Sequence, residues 1–168
     1  MRRTIQPTEI EKSVFDLIGK DWMLVTATKN DGATNTMTAS WGGLGVLWNS
    51  PVAFIFIRPQ RYTKEFVDQA DKLTLSFFDE SHRKDLSYLG KVSGRDHNKI
   101  AQSDLHLEEI DGAPCFAEAK LTLICAKLYC QQLDENCFVD KSIAKKNYMS
   151  GDFHFVYVAR IDKVILDD

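Results

Sequence analysis

The chain has 168 residues, 44% of them hydrophobic and 27% charged, with a net charge of -3. That is the size of one ordinary domain, able to bury about 70% of its unfolded surface, and the balance is that of a soluble globular protein. It excludes the basic footprint of a nucleic-acid or anionic-membrane binder, and no apolar run approaches the roughly 20 residues of a membrane-spanning helix.

Arg2 and Arg3 precede no apolar stretch, so the opening residues do not read as a secretory signal. Thr8-Glu9-Ile10-Glu11 has the form of a capping box, and Ile10, Val14, Leu17 and Ile18 recur at helical spacing. These features predict an amphipathic helix within residues 1–20, ending near Gly19 and packing on the rest of a single domain, residues 1–168. Trp22–Thr28 reads as a strand, Asn30-Asp31-Gly32 as a turn, and Thr34–Trp41 as the hairpin partner. Pro51–Ile57 is apolar on both faces, so one face fills a core and the other needs a cover, a helix or a second subunit. A short helix over Lys64–Ala70 and a strand over Lys72–Phe78 follow. Ser81–Leu89 and Asn98–Gln102 read as helical, and Glu109–Pro114 as a turn. The long strand through Ala119–Tyr129 finds a natural partner in Phe153–Ile161. About six strands, short turns and small inserted helices predict a mainly β protein, a closed or nearly closed antiparallel barrel with short peripheral helices.

Few chemical signatures survive inspection. The cysteines (115, 125, 130 and 137) form no C-x-x-C pair, and the histidines (82, 97, 106 and 154) do not fall at zinc-ligand spacing, so no metal site is expected. With no secretory signal, reduced thiols and a cytoplasmic location are the expectation. Gly42–Trp48 carries G-x-G without the third glycine and leads into a strand, which disfavours a Rossmann site. There is no P-loop, nucleophile elbow or H-E-x-x-H.

Three polar segments remain. In "RPQRYTKEF", a strand ends at Arg58, Pro59 turns the chain, and Arg61, Tyr62 and Thr63 stand before a helix. Thr63 is suited to cap that helix, and Arg61 beside it offers a forked donor that suits phosphate. A plain capped helix with a solvated arginine is the alternative. In "SGRDHNK", Arg95 and Lys99 are placed to reach an anion or a carbonyl, unless the turn is a solvated loop. In "TNTMTASW", alternation separates Asn35, Met37, Ala39 and Trp41 from Thr34, Thr36, Thr38 and Ser40. Such a strand of small polar residues suits a flat heteroaromatic ligand, or equally the edge of a barrel with a core tryptophan.

In this order and spacing, "NTMTASW", "RPQRYT", "SGRDHNK" and the late strand "GDFHFVYVARI" resemble the flavin reductase-like family, which has an FMN-binding split barrel of Greek-key type and includes flavoredoxin. The resemblance runs from about Gly19 to Lys99 and resumes at Gly151–Ile161. It implies that Asn35, Thr36, Met37, Thr38, Ala39, Ser40 and Trp41 line the flavin. It further implies that the turn containing Arg58, Pro59, Arg61, Tyr62 and Thr63 holds the FMN phosphate, chiefly through Arg61 and Thr63, and that Lys99, with Arg95 nearby, approaches the cofactor. His154 is carried over as a residue near the flavin, although Phe153 here separates it from Asp152 where the family commonly joins aspartate to histidine. Ala159 stands where a glycine is common. The resemblance also implies a homodimer with flavin near the interface and hydride transfer from NAD(P)H to FMN, with no protein residue acting as a conventional catalyst. A non-catalytic FMN electron carrier served by a redox partner protein, and an FMN oxidase of the pyridoxamine phosphate type, are the alternatives.

Overall fold

A computed structural model describes residues 1–167. Ten strands form, and eight of them join one antiparallel sheet: β1 (Arg2–Ile5), β2 (Met23–Thr28), β3 (Thr34–Ala39), β4 (Gly42–Leu47), β5 (Ser50–Ile57), β6 (Lys72–Phe77), β9 (Leu121–Gln132) and β10 (Phe155–Asp167). The remaining two, β7 (Leu107–Ile110) and β8 (Ala113–Phe116), make a separate hairpin around the turn expected at Asp111-Gly112. The sheet runs β3-β2-β6-β9-β10-β5-β4, with β1 added to β10. This mainly β, antiparallel split barrel agrees with the sequence reading, although the strand count there was too low.

β10 organises the barrel. Along its whole length it pairs with β9; its first half also pairs with β5 and its last residues with β1. Register shifts at Val158/Ala159 and between Ile161 and Lys163 bend the strand so that its two halves serve different neighbours. The ends of the path, β3 and β4, are joined through Ser40 and Trp41 alone, so the barrel stays open along a seam that starts at that corner. The core fills from alternate positions. Ala53, Ile55 and Ile57 of β5, Val25 and Ala27 of β2, and Met37 of β3 meet Leu73, Leu75, Leu123, Tyr157 and Phe66.

Three local expectations need correction. The opening segment is not one helix: it is β1, a 3-10 turn at Pro7–Glu9, a short α1 (Val14–Asp16) and a wide π turn through Asp21. The turn is braced by Glu9 accepting from the Gln6 backbone N–H at 2.6 Å, so the capping carboxylate is Glu9 and not Glu11. Pairing of β1 with β10 wins over the helical periodicity because it satisfies a whole row of backbone groups. Residues 98–102 form turns, closed by Ser103 N–H to Ile100 O at 3.1 Å, instead of a helix. Strand β3 stops at Ala39, before Ser40 and Trp41.

The helices α2 (Thr63–Gln69) and α3 (Arg83–Lys91) pack against β2 and β3, and α4 (Lys141–Asn147) lies in the long β9–β10 connection. α2 and α3 matched the reading to within two residues at either end; α4 had no counterpart in it.

Candidate functional site

The elements beside β3 gather charge in a way the core cannot absorb. Arg61 lies in the turn between β5 and α2, and its Nη1 donates to the carbonyl of Gly90 at the end of α3, at 2.9 Å. Lys99 comes from the loop after α3 and is only 3% exposed. Its ammonium donates to Leu89 O at 2.8 Å and Val92 O at 3.0 Å. Neither cation pairs with a carboxylate among the described residues. Burial, with Arg61 adding repulsion, pulls the Lys99 ammonium down to about 8; burial likewise lowers the Arg61 guanidinium. A buried ammonium and a half-buried guanidinium held against neutral carbonyls are stable only at a cost, which a bound anion removes.

Asn35 and Thr63 complete this corner. Asn35 Nδ2 donates to Thr63 Oγ1 at 3.0 Å, both side chains being buried. The Thr63 hydroxyl is thus not a helix cap as expected. Tyr62 occupies the cap position in helical conformation, and Thr63 is the first helical residue, turned toward Asn35. Gly94 closes the wall, since a Cβ there would lie 2.4 Å from Asn35 Oδ1. A cleft of about 180 Å³ is lined by Asn35, Gln60, Arg61, Thr63, Gly94 and Lys99, and a neighbouring one of about 340 Å³ lies between Tyr62 and the loop from Gly94 to Ile100.

The other sequence candidates lie around this corner or away from it. Arg95 pairs with Glu65 and lies over the Tyr62 ring, 4.5 Å from its centroid, bracing the loop that carries Lys99. Arg58 and Pro59 are outside the cleft. Arg58 is ion-paired with Asp152 at 2.7 Å and donates to Asn147 O at 3.0 Å, so it ties the β9–β10 connection to the end of β5. Along β3, Thr36 is engaged with Thr26 at 2.8 Å, Met37 is in the core, and Thr38 donates to Leu86 O in α3. Ser40 borders a shallow cleft with Thr38, Ser87 and Gly90.

At the far end of the seam, Trp41 is 52% exposed, and its ring lies 5.3 Å from that of His154. His154 is 6% exposed, edge-on to Phe56, and its Nδ1 lies 2.7 Å from the Tyr148 hydroxyl. Burial, assisted by Arg58, lowers His154 to about 4, so the ring is neutral at pH 7. Tyr148, Gly94, Gln60 and the Gly90 carbonyl were not singled out from sequence. Of these, only Gly94 had a local signal, as the small residue of a Ser-Gly turn.

The candidate residues fall in two groups along β3: cations and a hydroxyl beside Asn35, and, past Ala39, an exposed indole beside a neutral imidazole, with Thr36 and Met37 buried between them. By rise per residue, roughly 13 Å of β3 separates Asn35 from Ala39.

Comparison with known proteins gives this arrangement a family. The protein superimposes on an FMN-binding domain of a flavin reductases-like enzyme from Shewanella baltica with a TM-score of 0.71 at 16% identity, covering 99% of this chain and 78% of that one. Flavoredoxin of Desulfovibrio vulgaris matches with a TM-score of 0.69 at 18% identity, over 98% and 78% of the two chains. The flavin reductase of styrene monooxygenase from Pseudomonas putida matches with a TM-score of 0.63 at 15% identity, over 86% and 77%. At these identities the likeness is one of fold. No curated protein sequence matches the chain. The family model for the flavin reductase like domain matches residues 16–168, which takes in β2 to β10, the cation corner and His154, and on that match the chain belongs to the flavin reductase-like family.

Proposed function

We propose that the protein is an FMN-binding oxidoreductase that transfers hydride from NAD(P)H to the flavin. One observation carries the reading: the buried Lys99 and the half-buried Arg61 stand together at one end of the seam with no acidic partner among the described residues, a donor set that fits a phosphate monoester. Thr63 adds a hydroxyl whose proton is free, since it accepts from Asn35. The strand edge from Thr36 to Ala39 would run beside the ribityl chain and ring, and Trp41 and His154 would stand at the ring's end. When bound, FMN supplies the hydride-accepting ring and NAD(P)H the hydride. The chain's own residues bind and orient: Arg61, Lys99 and Thr63 fix the phosphate, Gly94 and Asn35 shape its cradle, and Trp41 shields the ring end from water.

We read the protein as a homodimer with the flavin near its interface. β5 turns the half-buried Phe54 and Phe56 away from the core, and Gly43 and Gly45 lie flat beneath the Phe54 ring. Trp48 continues this face in the open, its ring 6.3 Å from that of Tyr129 of β9. A second copy is the cover that an apolar face of this kind asks for. No described helix is long and apolar enough to cross a membrane; free thiols at Cys130 and Cys137 suit the cytoplasmic location proposed here.

The likeness to flavoredoxin supports a second reading, an FMN electron carrier reduced by a redox partner protein. Anaerobic addition of NADH or NADPH to the FMN-loaded protein separates the two. Bleaching of the visible flavin band by either donor is expected; failure of both overturns the reductase reading and leaves the carrier.

A further inference from the structure

Tyr148, at the C-terminal end of α4, and His154, just before β10, approach from opposite ends of a short connection. The Tyr148 hydroxyl has His154 Nδ1 as its one hydrogen-bond partner among the described residues. Among the described residues His154 Nε2 has no partner, yet the one fully enclosed polar side-chain atom there without a partner is Ser76 Oγ. Nε2 is therefore not sealed off from the outside, on a nearly buried residue flanked by Trp41 and Phe56.

The direction of the Tyr148–His154 bond follows from the two groups. A phenol O–H is a good donor and its oxygen a modest acceptor, whereas a neutral imidazole nitrogen is a good acceptor. Tyr148 therefore donates to Nδ1, which places the imidazole proton on Nε2. The charged groups around the pair are Arg58, from the end of β5, whose guanidinium lies 5.0 Å from the Tyr148 ring centre, and Asp152, from the loop before β10, which pairs with Arg58. Gln60 binds the same Asp152 oxygen at 2.8 Å, so the bracing reaches back to the turn that carries Arg61.

We propose that Tyr148 is a positioning residue: its hydroxyl locks His154 in the Nε2–H form and aims that N–H at an acceptor atom on the edge of a flat heteroaromatic ring seated beside Trp41. This rests on the FMN part of the function proposed above, with the isoalloxazine as that ring, and not on the identity of the hydride donor. A structural tyrosine would stabilise the connection without controlling the tautomer. A positioning tyrosine acts only through the histidine.

Histidine labelled with 15N in the cofactor-free protein reports the tautomer directly, and the wild type needs no substitution to be informative. A protonated Nε2 with a bare Nδ1 at neutral pH is expected. Tyr148→Phe keeps the ring, which packs on Phe138 and Phe153, and should give a mixture of tautomers. The same variant should bind FMN about tenfold more weakly by quenching of flavin fluorescence, the size of one lost hydrogen bond. In a His154→Ala background, Tyr148→Phe should have no further effect on FMN affinity, whereas a structural contribution would add. A proton on Nδ1 in the wild type, an unchanged tautomer in Tyr148→Phe, unchanged FMN affinity, or additivity in the double variant would each overturn the proposal. Failure of NADH and NADPH to bleach the flavin would overturn the reductase reading and leave this one standing.

Discussion

Replacing Lys99 by methionine tests whether the cation corner is built for an anion. In the cofactor-free protein the Lys99 ammonium titrates at about 8 against 10.5 for an ordinary lysine, a gap worth roughly 3 kcal/mol. Below pH 8 both folded and unfolded chains hold the proton, and the folded state bears the full penalty. Between pH 8 and 10.5 the unfolded chain still holds the proton that the folded chain has released. Raising the pH through that window therefore removes the unfolded state's advantage, and stability rises. Between pH 7 and pH 10 the Lys99 contribution should improve by about 2 kcal/mol. Cys115, pushed up to about 11, and the still higher Cys125 and Tyr157 work in the opposite sense, because the folded chain keeps those protons longer. They cancel when variant and wild type are compared at each pH. Urea unfolding of the cofactor-free wild type and Lys99→Met from pH 7 to pH 10 should show the variant's relative stability falling by about 2 kcal/mol across the range. Inorganic phosphate or FMN should flatten the trend in the wild type by holding Lys99 charged. A difference between the two proteins that does not change with pH would refute the idea of a strained, anion-seeking ammonium.

Arg61→Ala should weaken FMN binding by roughly 1.5–3 kcal/mol, the range for a hydrogen bond to a charged group, while riboflavin, which lacks the phosphate, binds it and the wild type alike in parallel fluorescence titrations. Gly94→Ala places a methyl against Asn35 Oδ1 and should cost about 1–3 kcal/mol by thermal or urea unfolding; an unchanged stability would mean the loop yields freely. Phe54→Asp, on the outward face of β5, should convert a dimer to monomer in sedimentation, and an unchanged mass would place the interface elsewhere.

The parts of the fold legible in sequence are those set by local pattern. β2, the Asp31-Gly32 turn and β3 carry their hairpin signal within eighteen residues, and the long apolar alternation of β9 and β10 identified those two as partners. β1 escaped notice because four residues at a chain end become a strand only when β10 offers its edge, a contact across more than 150 positions. At the site, Arg61 and Lys99 were recognisable by residue type and by family resemblance. Their geometry was not, since it depends on carbonyls from the far end of α3 that any residue would supply. Thr63 misled for a related reason: a threonine before a helix reads as a cap, but Asn35, 28 positions away, claims its hydroxyl.

The seam that opens at Ser40 and Trp41 has a further consequence. β3 and β4 stand at the two ends of the sheet path, but α3 and the Gly94 loop already bury the middle of β3, whereas β4 is exposed or half-exposed throughout and has a strand partner on one side alone among the described residues. Its other edge carries a row of backbone N–H and C=O groups available to another chain. A second protomer against β4 would act as a guard against strand addition between molecules, and protein held as a monomer should be the form that aggregates.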